Sequence, residues 1–343
     1  MKSAPASHSA TGHPRLADVA AIAGVSIKTA SRVINGSDDV ATQTVARVKK
    51  AADLVGYRSN RIARELRSGA LSNLVGMVIS DLANPFYAGL AAGAENELSE
   101  HGLDLILATA RDEAERERNL IESLLERRVR GLIIVASGND YGYLLAERKR
   151  GFSFVFADRP ARFLDVDTVY ADNQGGMKLC VDYLIAQGCK RIALLADHAA
   201  IWTASERILG FQQAVNASNL DLSKCSVVSE IHTSEDAETA ARKLLSEQPP
   251  IDGIVAANDL IAIGVGHAVV SLGSTCKMIS FDDFTTATLM KIPTLDHNPQ
   301  RLGRLAAETL LNRMADPGNA SFSSHTLEIN FKVNPTEIAK NGG

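Results

Sequence analysis

Residues 16–35, LADVAAIAGVSIKTASRVIN, predict two short helices joined by a tight turn. The first helix has the i, i+3, i+4, i+7 spacing of one buried face, at Leu16, Val19, Ala20 and Ala23. Gly24 can adopt the left-handed backbone conformation in which helices often end. Ser26 is a favourable N-cap for a second helix that reaches about Ile34.

The second helix is predicted to have an apolar back and a polar, basic front. Its inward face consists of Thr29, Ala30, Val33 and Ile34. Its outward face on the first turns consists of Ile27, Lys28, Ser31 and Arg32. A helix-turn-helix presents such a second helix to the major groove of DNA. A small helical hairpin with a solvated polar face is the alternative that this stretch alone leaves open.

The head of the chain is basic and the rest is acidic. Residues 1–70 contain 11 Lys and Arg against 5 Asp and Glu, a net charge of +6. Because the 343-residue chain has a formal net charge of −4, the remaining residues carry −10. This distribution favours an N-terminal segment that binds a polyanion, attached to a body that does not. The alternative is that basic residues cluster by chance on an exposed helical domain.

Several other classes of protein are disfavoured. There is no apolar run near the ~18–20 residues of a membrane span, and residues 1–13 are expected to form a disordered tail, not a secretory signal. The motifs GxSxG, GxxxxGK[ST], HExxH and GxGxxG are absent, so we expect no enzyme and no cofactor. The cysteines, Cys180, Cys189, Cys225 and Cys276, show neither CxxC spacing nor paired Cys/His clusters. We therefore expect reduced cytoplasmic thiols and no metal site.

The helical head is predicted to end near residue 58. A third amphipathic helix over about 41–54, closed by Gly56, has Val45, Val48, Ala52 and Val55 as its buried side. We therefore assign residues 14–58 to one helical domain. Residues 59–71 are basic and poor in apolar groups, so they form either a linker or a helix too short to be stable alone in water.

From residue 72 onward the pattern predicts an α/β domain. Apolar runs of strand length alternate with helix-length amphipathic segments, which favours parallel sheets covered on both faces. Two successive units of similar size predict two lobes with a cleft between them, and ligands of such sheets bind at the carboxyl ends of strands. The predicted strands are 74–79, 103–108, 132–135, 153–156, 168–170, 192–195, 227–229, 254–256 and 278–280.

These motifs resemble the lactose/galactose-repressor family of bacterial transcription regulators. In the head the resemblance rests on Asp18-Val19-Ala20, Ala23-Gly24-Val25-Ser26, Thr29, Ser31-Arg32-Val33, Asn35-Gly36, Gly56-Tyr57, Asn60-Arg61 and Ala63. In the body it rests on Asn84-Pro85-Phe86, Arg130-Gly131-Leu132-Ile133, Asp172-Asn173, Gly210-Phe211, Ala257-Asn258-Asp259 and Phe281-Asp282-Asp283. It covers the chain from about Leu16 to Thr336.

The resemblance implies the complete fold. The expected architecture is an N-terminal all-α helix-turn-helix DNA-binding domain followed by an α/β two-lobed, periplasmic-binding-protein-like (type I) domain over 72–343, for effector binding and dimerisation. The expected first lobe comprises about 72–166 and 298–320, and the second about 167–297 and 321–340.

The resemblance also implies which head residues contact DNA. Ile27, Lys28 and Arg32 match base-reading positions; Arg32 can bond a guanine edge bidentately, and Ile27 can contact a thymine methyl. Phosphate contacts are expected from Ser26, Thr29 and Ser31, although Thr29 can equally be an internal cap. The family's further DNA-contacting positions in the head fall on Leu16, Asn35 and Tyr57.

In this family, segment 59–71 folds as a hinge helix when two copies meet in the minor groove. Leu66 matches the residue that wedges between the central base pairs, while Asn60, Arg61 and Ala63 lie against the sugar-phosphate walls. The alternative is a flexible linker whose Arg residues only raise non-specific affinity. We favour the wedge because Leu66 has no evident core to join.

The expected effector site lies at strand ends and matches sugar-holding positions of ribose-type binding proteins. It comprises Asn84, Phe86, Asp158, Arg159, Trp202, Arg207, Asn258, Asp282 and His297. Individually these groups have structural alternatives: Asn258 can cap a helix, Asp158 and Arg159 can pair at a strand end, and Trp202 can pack a loop. His297 departs from the amide that several relatives have there.

The expected function is that of a cytoplasmic DNA-binding transcriptional regulator, most simply a repressor. A homodimer or a dimer of dimers would bind a pseudo-palindromic double-stranded operator. The expected effector is a neutral polyhydroxylated molecule such as a pentose, nucleoside or inositol, because the site lacks a surplus of cations. The alternative is a solute-binding sugar receptor without a direct DNA role. Whether the effector releases or promotes DNA binding is left open.

Overall fold

The computed structural model describes residues 14–37, 39–57, 72–218 and 220–332. The predicted tail and hinge, with Asn60, Arg61, Ala63 and Leu66, lie outside these residues. The chain divides into two compact units, with the boundary between Ser72 and Asn73.

In its described residues the first unit contains three helices, α1 (Leu16–Ala23), α2 (Ile27–Ile34) and α3 (Thr42–Val55). The predicted bounds are confirmed to within one residue. Gly24 and Gly56 end α1 and α3 with φ of 64° and 63°, a conformation that costs glycine little because it has no Cβ. The small core between the helices is formed by Val19, Ala20, Ala23, Ala30, Val33, Val48, Ala51 and Ala52.

Over residues 73–218 and 220–332 the second unit forms two six-stranded sheets, each built around parallel strands. The strands of the first sheet are β1 (Leu74–Ile79), β2 (Asp104–Thr109), β3 (Gly131–Ile134), β4 (Ser153–Ala157), β5 (Thr168–Ala171) and β11 (Ser324–Leu327). Their order in the sheet is β11-β5-β4-β3-β1-β2. The central strands are buried along their length, which explains why they read as continuous apolar runs.

The strands of the second sheet are β6 (Ile192–Leu195), β7 (Ser226–Val228), β8 (Gly253–Ala256), β9 (Lys277–Ser280), β10 (Thr294–Asp296) and β12 (Asn330–Lys332). Their order in the sheet is β12-β10-β9-β8-β6-β7. All pairings are parallel except that of β10 with β12. The predicted two-lobed α/β architecture is confirmed.

Helices connect the strands in both lobes. They are α4 (Pro85–Glu100), α5 (Ala114–Glu126), α6 (Leu144–Lys149), α7 (Asn173–Ala186), α8 (Trp202–Ala217), α9 (Ser234–Leu245), α10 (Asp259–Ser271), α11 (Ala287–Met290) and α12 (Pro299–Ala315), with a short 3₁₀ turn at Leu222–Lys224. No helix among the described residues is both long and apolar enough to cross a bilayer.

Two predicted lobe boundaries are wrong. The second lobe does not begin at residue 167, because β5 pairs with β4, with Phe156 opposite Thr168, and so belongs to the first sheet. Residues 321–340 are also not confined to the second lobe, since β11 pairs with β5 and only β12 joins the second sheet. The sequence of an apolar strand does not show which strand it pairs with, because pairing depends on residues distant in the chain.

The helices α4 and α12 approach each other unusually closely. A Cβ built on Gly303 would lie 1.9 Å from the carbonyl oxygen of Leu90, and one built on Gly93 would lie 1.9 Å from that of Gln300. The absence of a side chain at both positions lets the two backbones touch. This contact attaches α12 to the first lobe after the chain has passed through the second.

Candidate functional site

The predicted reading helix α2 presents the expected residues to solvent. Ile27 has 57% of its surface exposed although it is apolar, and Lys28 and Arg32 are exposed on the same helix. At the other end of α2, the Asn35 side-chain amide donates to Ser31 Oγ over 3.2 Å. Ile27, Lys28 and Arg32 are therefore accessible on the outward face, whereas Ser31 is partly buried and bonded to Asn35.

Other head residues have partly structural roles. The Ser26 hydroxyl accepts the backbone N–H of Thr29 over 3.1 Å, and the two hydroxyls lie 2.9 Å apart, so both residues take part in the N-cap of α2. Leu16 and Tyr57 pack partly buried against the core of the head.

The second unit contains a cavity of about 230 Å³ between the ends of the two sheets. Its walls come from the loops after β1, β2 and β4 in the first lobe and after β6, β7, β8 and β9 in the second. Seven of the nine predicted effector residues line it: Asn84, Phe86, Asp158, Arg159, Arg207, Asn258 and Asp282. Asn84 and Asn258 also cap α4 and α10, so the cap and the cavity share these side chains.

The guanidinium of Arg159 organises the first-lobe wall. It is buried and donates to Tyr87 Oη over 2.8 Å and to the Asp112 carboxylate. Asp112 also accepts from Ser80 Oγ over 2.6 Å. The Nε of Arg159 is buried and has no hydrogen-bond partner among the described residues, although a carboxylate oxygen of Asp158 lies 3.7 Å away. The Nε–H of Arg159 is therefore a donor that a bound molecule could use.

The carboxylates near Arg159 have opposite pKa shifts. Burial raises the pKa of Asp158 to about 6, against the attraction of Arg159. Burial also acts to raise the pKa of Asp112, but Arg159 and the hydrogen bond from Ser80 together lower it. The backbone of Asp158 has φ of 64°, which is uncommon for a residue with a Cβ. Such conformations are held by the surrounding fold and occur often at binding sites.

Arg207 organises the second-lobe wall in a similar way. Its Nε donates to Asn173 Oδ1 over 2.9 Å, and one Nη donates to the carbonyl of Ala257. The same Nη lies 3.4 Å from Asp282 Oδ1, and the guanidinium stacks 3.8 Å above the Phe281 ring. Burial raises the pKa of Asp282, while Arg207 acts in the opposite direction. Each lobe therefore offers a fixed guanidinium with carboxylates beside it.

Two predicted effector residues do not line the cavity. Trp202 is the first residue of α8 and packs edge-on against Tyr170, with ring centroids 5.2 Å apart. Because successive helical residues point about 100° apart, Thr203 and Ala204 face the cavity instead. The side chain of Trp202 thus packs against a neighbouring ring, as in the structural alternative to ligand binding. His297 is buried beside Phe86, outside the lining.

Several lining residues were not predicted. They are Ser80, Asp81, Tyr87, Arg111, Asp112, Asp197, Ile201, Thr203, Ala204, His232, Ala257 and Leu260. The strand-end argument could have found Asp112, Asp197 and His232, because these residues follow β2, β6 and β7.

Comparisons with known proteins agree with this geometry. Residues 15–60 match the sequence model of "Bacterial regulatory proteins, lacI family", and residues 72–332 match that of "Periplasmic binding proteins and sugar binding domain of LacI family". The chain belongs to the lacI family. The helix-turn-helix of this lacI-family protein is therefore the unit formed by α1–α3, and its sugar-binding-type domain is the two-sheet body.

Relatives cover nearly the whole length of the lacI-family chain. The HTH-type transcriptional regulator CelR of Thermobifida fusca is 32% identical over 314 residues, covering 88% of this chain and 92% of its own. The ribose operon repressor of Bacillus subtilis (strain 168) is 30% identical over 300 residues, covering 86% and 90%. The structure of the transcriptional regulator CelR–cellobiose complex has a TM-score of 0.67 and 29% identity, covering 93% and 98%.

Membership of the lacI family establishes the class of function. The protein is a DNA-binding transcriptional regulator with a ligand-binding body, and it is not an enzyme. The alternative of a sugar receptor without a DNA role is not favoured, because the DNA-binding head matches its own family model.

Proposed function

We propose that this regulator binds a pseudo-palindromic operator as a homodimer in the cytoplasm, most simply as a repressor, and that a small neutral polyol in the cavity controls its operator affinity. The observation that carries the proposal is the cavity itself, in which fixed guanidinium and carboxylate groups of both lobes converge. A ligand that bonds both walls stabilises one angle between the lobes. A change in that angle alters the spacing of the two attached heads.

The charges of the lining support a neutral ligand. Five Asp and three Arg residues face the cavity, so a phosphorylated sugar would meet an excess of negative charge. Carboxylates and guanidinia are well suited to neighbouring hydroxyl groups, which donate and accept at once. Phe86 adds an apolar face for the C–H side of a sugar ring.

The size of the cavity supports a ligand of one ring. Its volume of about 230 Å³ lies below the usual range for ligand pockets, about 300–1,000 Å³. Pentoses and inositols, which have one ring, are therefore the members of the expected class that match this volume, whereas a nucleoside adds a base to its sugar ring. The names of two relatives, a ribose operon repressor and a CelR–cellobiose complex, are consistent with sugar chemistry, although cellobiose has two rings.

The exposed face of α2 supports sequence-specific DNA binding. Arg32 and Lys28 are proposed to reach base edges or phosphates in the major groove, while Ile27 contacts a thymine methyl. Leu66, which lies outside the described residues, is proposed to enter the minor groove at the operator centre. Asn60, Arg61 and Ala63 are proposed to contact the backbone around it.

The experiment has two stages with the full-length protein. First, DNA fragments selected from a random library define the operator, and their half-site symmetry tests the dimer. Second, a thermal-shift screen of pentoses, nucleosides, inositols and hexoses finds the effector, because a ligand of the native state raises the melting temperature. A stabilising polyol that also changes operator affinity supports the proposal. Selection without an enriched sequence, or a melting temperature that none of the screened polyols raises, would contradict it.

A further inference from the structure

Two histidines and two carboxylates meet where β6 and β7 end. Asp197 and His198 follow β6, and Glu230 and His232 follow the neighbouring strand β7. Backbone hydrogen bonds hold the two strand ends together, from the N–H of Ala196 to the Val228 carbonyl and from the N–H of Ile231 to the Ala196 carbonyl. The cluster is thus assembled from two segments about 35 residues apart in sequence, which is why short-spacing motifs do not reveal it.

We propose that Asp197, His198 and His232 form a binding site for a divalent transition-metal ion of the zinc type. One ligand atom of each residue lies within 4.8 Å of the others, and His232 Nδ1 is 3.2 Å from Asp197 Oδ1. Around a tetrahedral ion with bonds of about 2.0–2.1 Å, neighbouring ligand atoms are about 3.3 Å apart. Small side-chain rotations are therefore sufficient to close the site.

The donor set indicates which ions the site selects. Two imidazoles with a carboxylate suit zinc and its neighbours in the first transition row, whereas magnesium and calcium prefer oxygen ligands throughout. The net charge of the cluster balances that of a divalent cation, since the carboxylates of Asp197 and Glu230 supply two negative charges and neutral imidazoles supply none.

Glu230 is a positioning residue for this site. Its carboxylate contacts His198 Nδ1 and also accepts the N–H of Ala199 over 3.4 Å. A carboxylate hydrogen-bonded to a ligating histidine fixes the orientation of its ring. The backbone of Glu230 has φ of 65°, so the loop holds an unfavourable conformation at the residue that faces His198.

The site adjoins the proposed effector cavity and still has room for an exogenous ligand. Asp197 and His232 line the cavity, and the side chains of both histidines are about half exposed. An ion held by three protein ligands keeps a further position for water or for an oxygen of a bound molecule. The site itself uses second-lobe residues only, so it does not depend on the identity of the polyol.

The simpler alternative is that the cluster consists of two exposed ion pairs, His198 with Glu230 and His232 with Asp197. Exposed pairs of this kind contribute little to stability. The two explanations differ in their response to metal: ion pairs bind no zinc, whereas the proposed site binds one ion per chain.

The test is zinc titration of the full-length protein after treatment with a chelator, in competition with a chromophoric zinc indicator. We expect one zinc ion per chain, with affinity at least tenfold lower in His232→Ala and in Asp197→Ala. His267→Ala is the matched control, because His267 is an exposed histidine of α10 whose contact is with Glu238, outside the cluster. Its zinc affinity should equal that of the wild type. Melting curves in the presence of the chelator establish that the variants are folded.

Cobalt provides a second measurement that distinguishes this site from the cysteines. Co²⁺ bound by nitrogen and oxygen ligands gives visible bands without the intense near-ultraviolet thiolate band, and these visible bands should vanish in His198→Ala/His232→Ala. Unchanged zinc affinity in this double variant would overturn the proposal. A thiolate–cobalt band in the wild type that is lost in Cys225→Ser or Cys276→Ser would overturn it as well.

Discussion

The rings of Phe86 and His297 are stacked face to face, with centroids 4.9 Å apart and planes within 4° of parallel. Phe86 belongs to α4 of the first lobe, whereas His297 directly follows β10 of the second sheet. The stack therefore joins the lobes at the point where the chain crosses between them. Because Phe86 lines the cavity, His297 supports from behind a ring that the effector is proposed to touch.

His297 is expected to make the protein sensitive to acid. The side chain is 4% exposed, and neither ring nitrogen has a hydrogen-bond partner among the described residues. Burial, reinforced by Arg207, lowers the pKa of His297 to about 3. Since the unfolded pKa is about 6.5, the unfolded state binds the extra proton first. Stability is lost as the pH falls below 6.5, by about 2 kcal/mol between pH 7 and pH 5.

The measurement is urea unfolding of wild type and His297→Asn at several pH values from 5 to 7. Titrating groups away from His297, Asp158 included, contribute equally to both proteins and cancel in the difference. The free energy of unfolding of the variant should fall less than that of the wild type as the pH decreases. Parallel curves for the two proteins would show that His297 does not titrate in this way.

Asp282→Asn is expected to weaken the effector response without reducing operator binding. The side chain of Asp282 is buried at the cavity and lies beside Arg207, so loss of its charge removes a strong hydrogen-bond acceptor for hydroxyl groups. A hydrogen bond to a charged group contributes about 1.5–3 kcal/mol, which corresponds to at least a tenfold loss of effector affinity. Calorimetry with the effector and gel-shift titration with the operator measure the two effects separately.

Asp283→Asn is the matched control for that substitution. Its carboxylate accepts from Thr294 Oγ1 over 3.0 Å and from Lys332 Nζ over 2.6 Å, and it does not line the cavity. Effector affinity should remain unchanged. Equal losses in Asp282→Asn and Asp283→Asn would place the effector elsewhere.

Arg32→Ala is expected to reduce discrimination between operator variants. A bidentate contact between arginine and guanine contributes about 1–3 kcal/mol of discrimination at one base pair. Arg47→Ala, an exposed arginine of α3, should leave this discrimination unchanged. Fluorescence anisotropy with a set of single-base operator variants gives both values. A uniform loss of affinity for all DNA in Arg32→Ala would make Arg32 a phosphate contact.

Leu66→Ala is expected to reduce operator bending together with specific affinity. Insertion of an apolar side chain kinks the duplex at the cost of a few kcal/mol of unstacking, offset by contacts that the bent DNA allows. Energy transfer between dyes at the two ends of an operator fragment measures the bend. Leu54→Ala, an exposed leucine of α3, is the control. A bend unchanged by Leu66→Ala would support the linker interpretation of residues 59–71.

Gly303→Ala is expected to destabilise the first lobe. Its new Cβ would lie 1.9 Å from the carbonyl oxygen of Leu90, so α4 and α12 must separate. Overpacking of this kind costs about 1–3 kcal/mol or more. Gly318→Ala is the control, because the nearest atom to its Cβ would be 4.0 Å away. Thermal unfolding of both variants shows the difference, and equal melting temperatures would contradict the close packing.

Much of the fold could be predicted because its signals are local. The repeat of Val19, Ala20 and Ala23 and the caps at Gly24 and Ser26 depend on neighbouring residues, and α1 and α2 have the expected bounds. The apolar runs of the central strands are equally local, since both faces of these strands are buried. The pairing of β5 with β4 and β11 depends on distant residues, so the lobe boundary was misplaced.

The residues of the candidate site could also be predicted only in part. Asn84, Asp158, Asn258 and Asp282 could be placed because they follow strands that the apolar pattern had already located. Trp202 could not, because it is the first residue of α8 and not part of a loop, and its side-chain direction is set by this helix. Successive residues of a helix point about 100° apart, so Trp202 packs against Tyr170 while Thr203 and Ala204 face the cavity.

The last two strands of the described residues, β11 and β12, are only a few residues apart, and each is an edge strand that pairs with a single neighbour, β5 or β10. Truncation just before Ser324 would leave open edges on both sheets at once, and such edges are templates for aggregation. For the same reason no contiguous fragment of this polypeptide contains one lobe alone, so dissecting the body by limited proteolysis or by cloning halves should yield insoluble pieces instead of two separate modules.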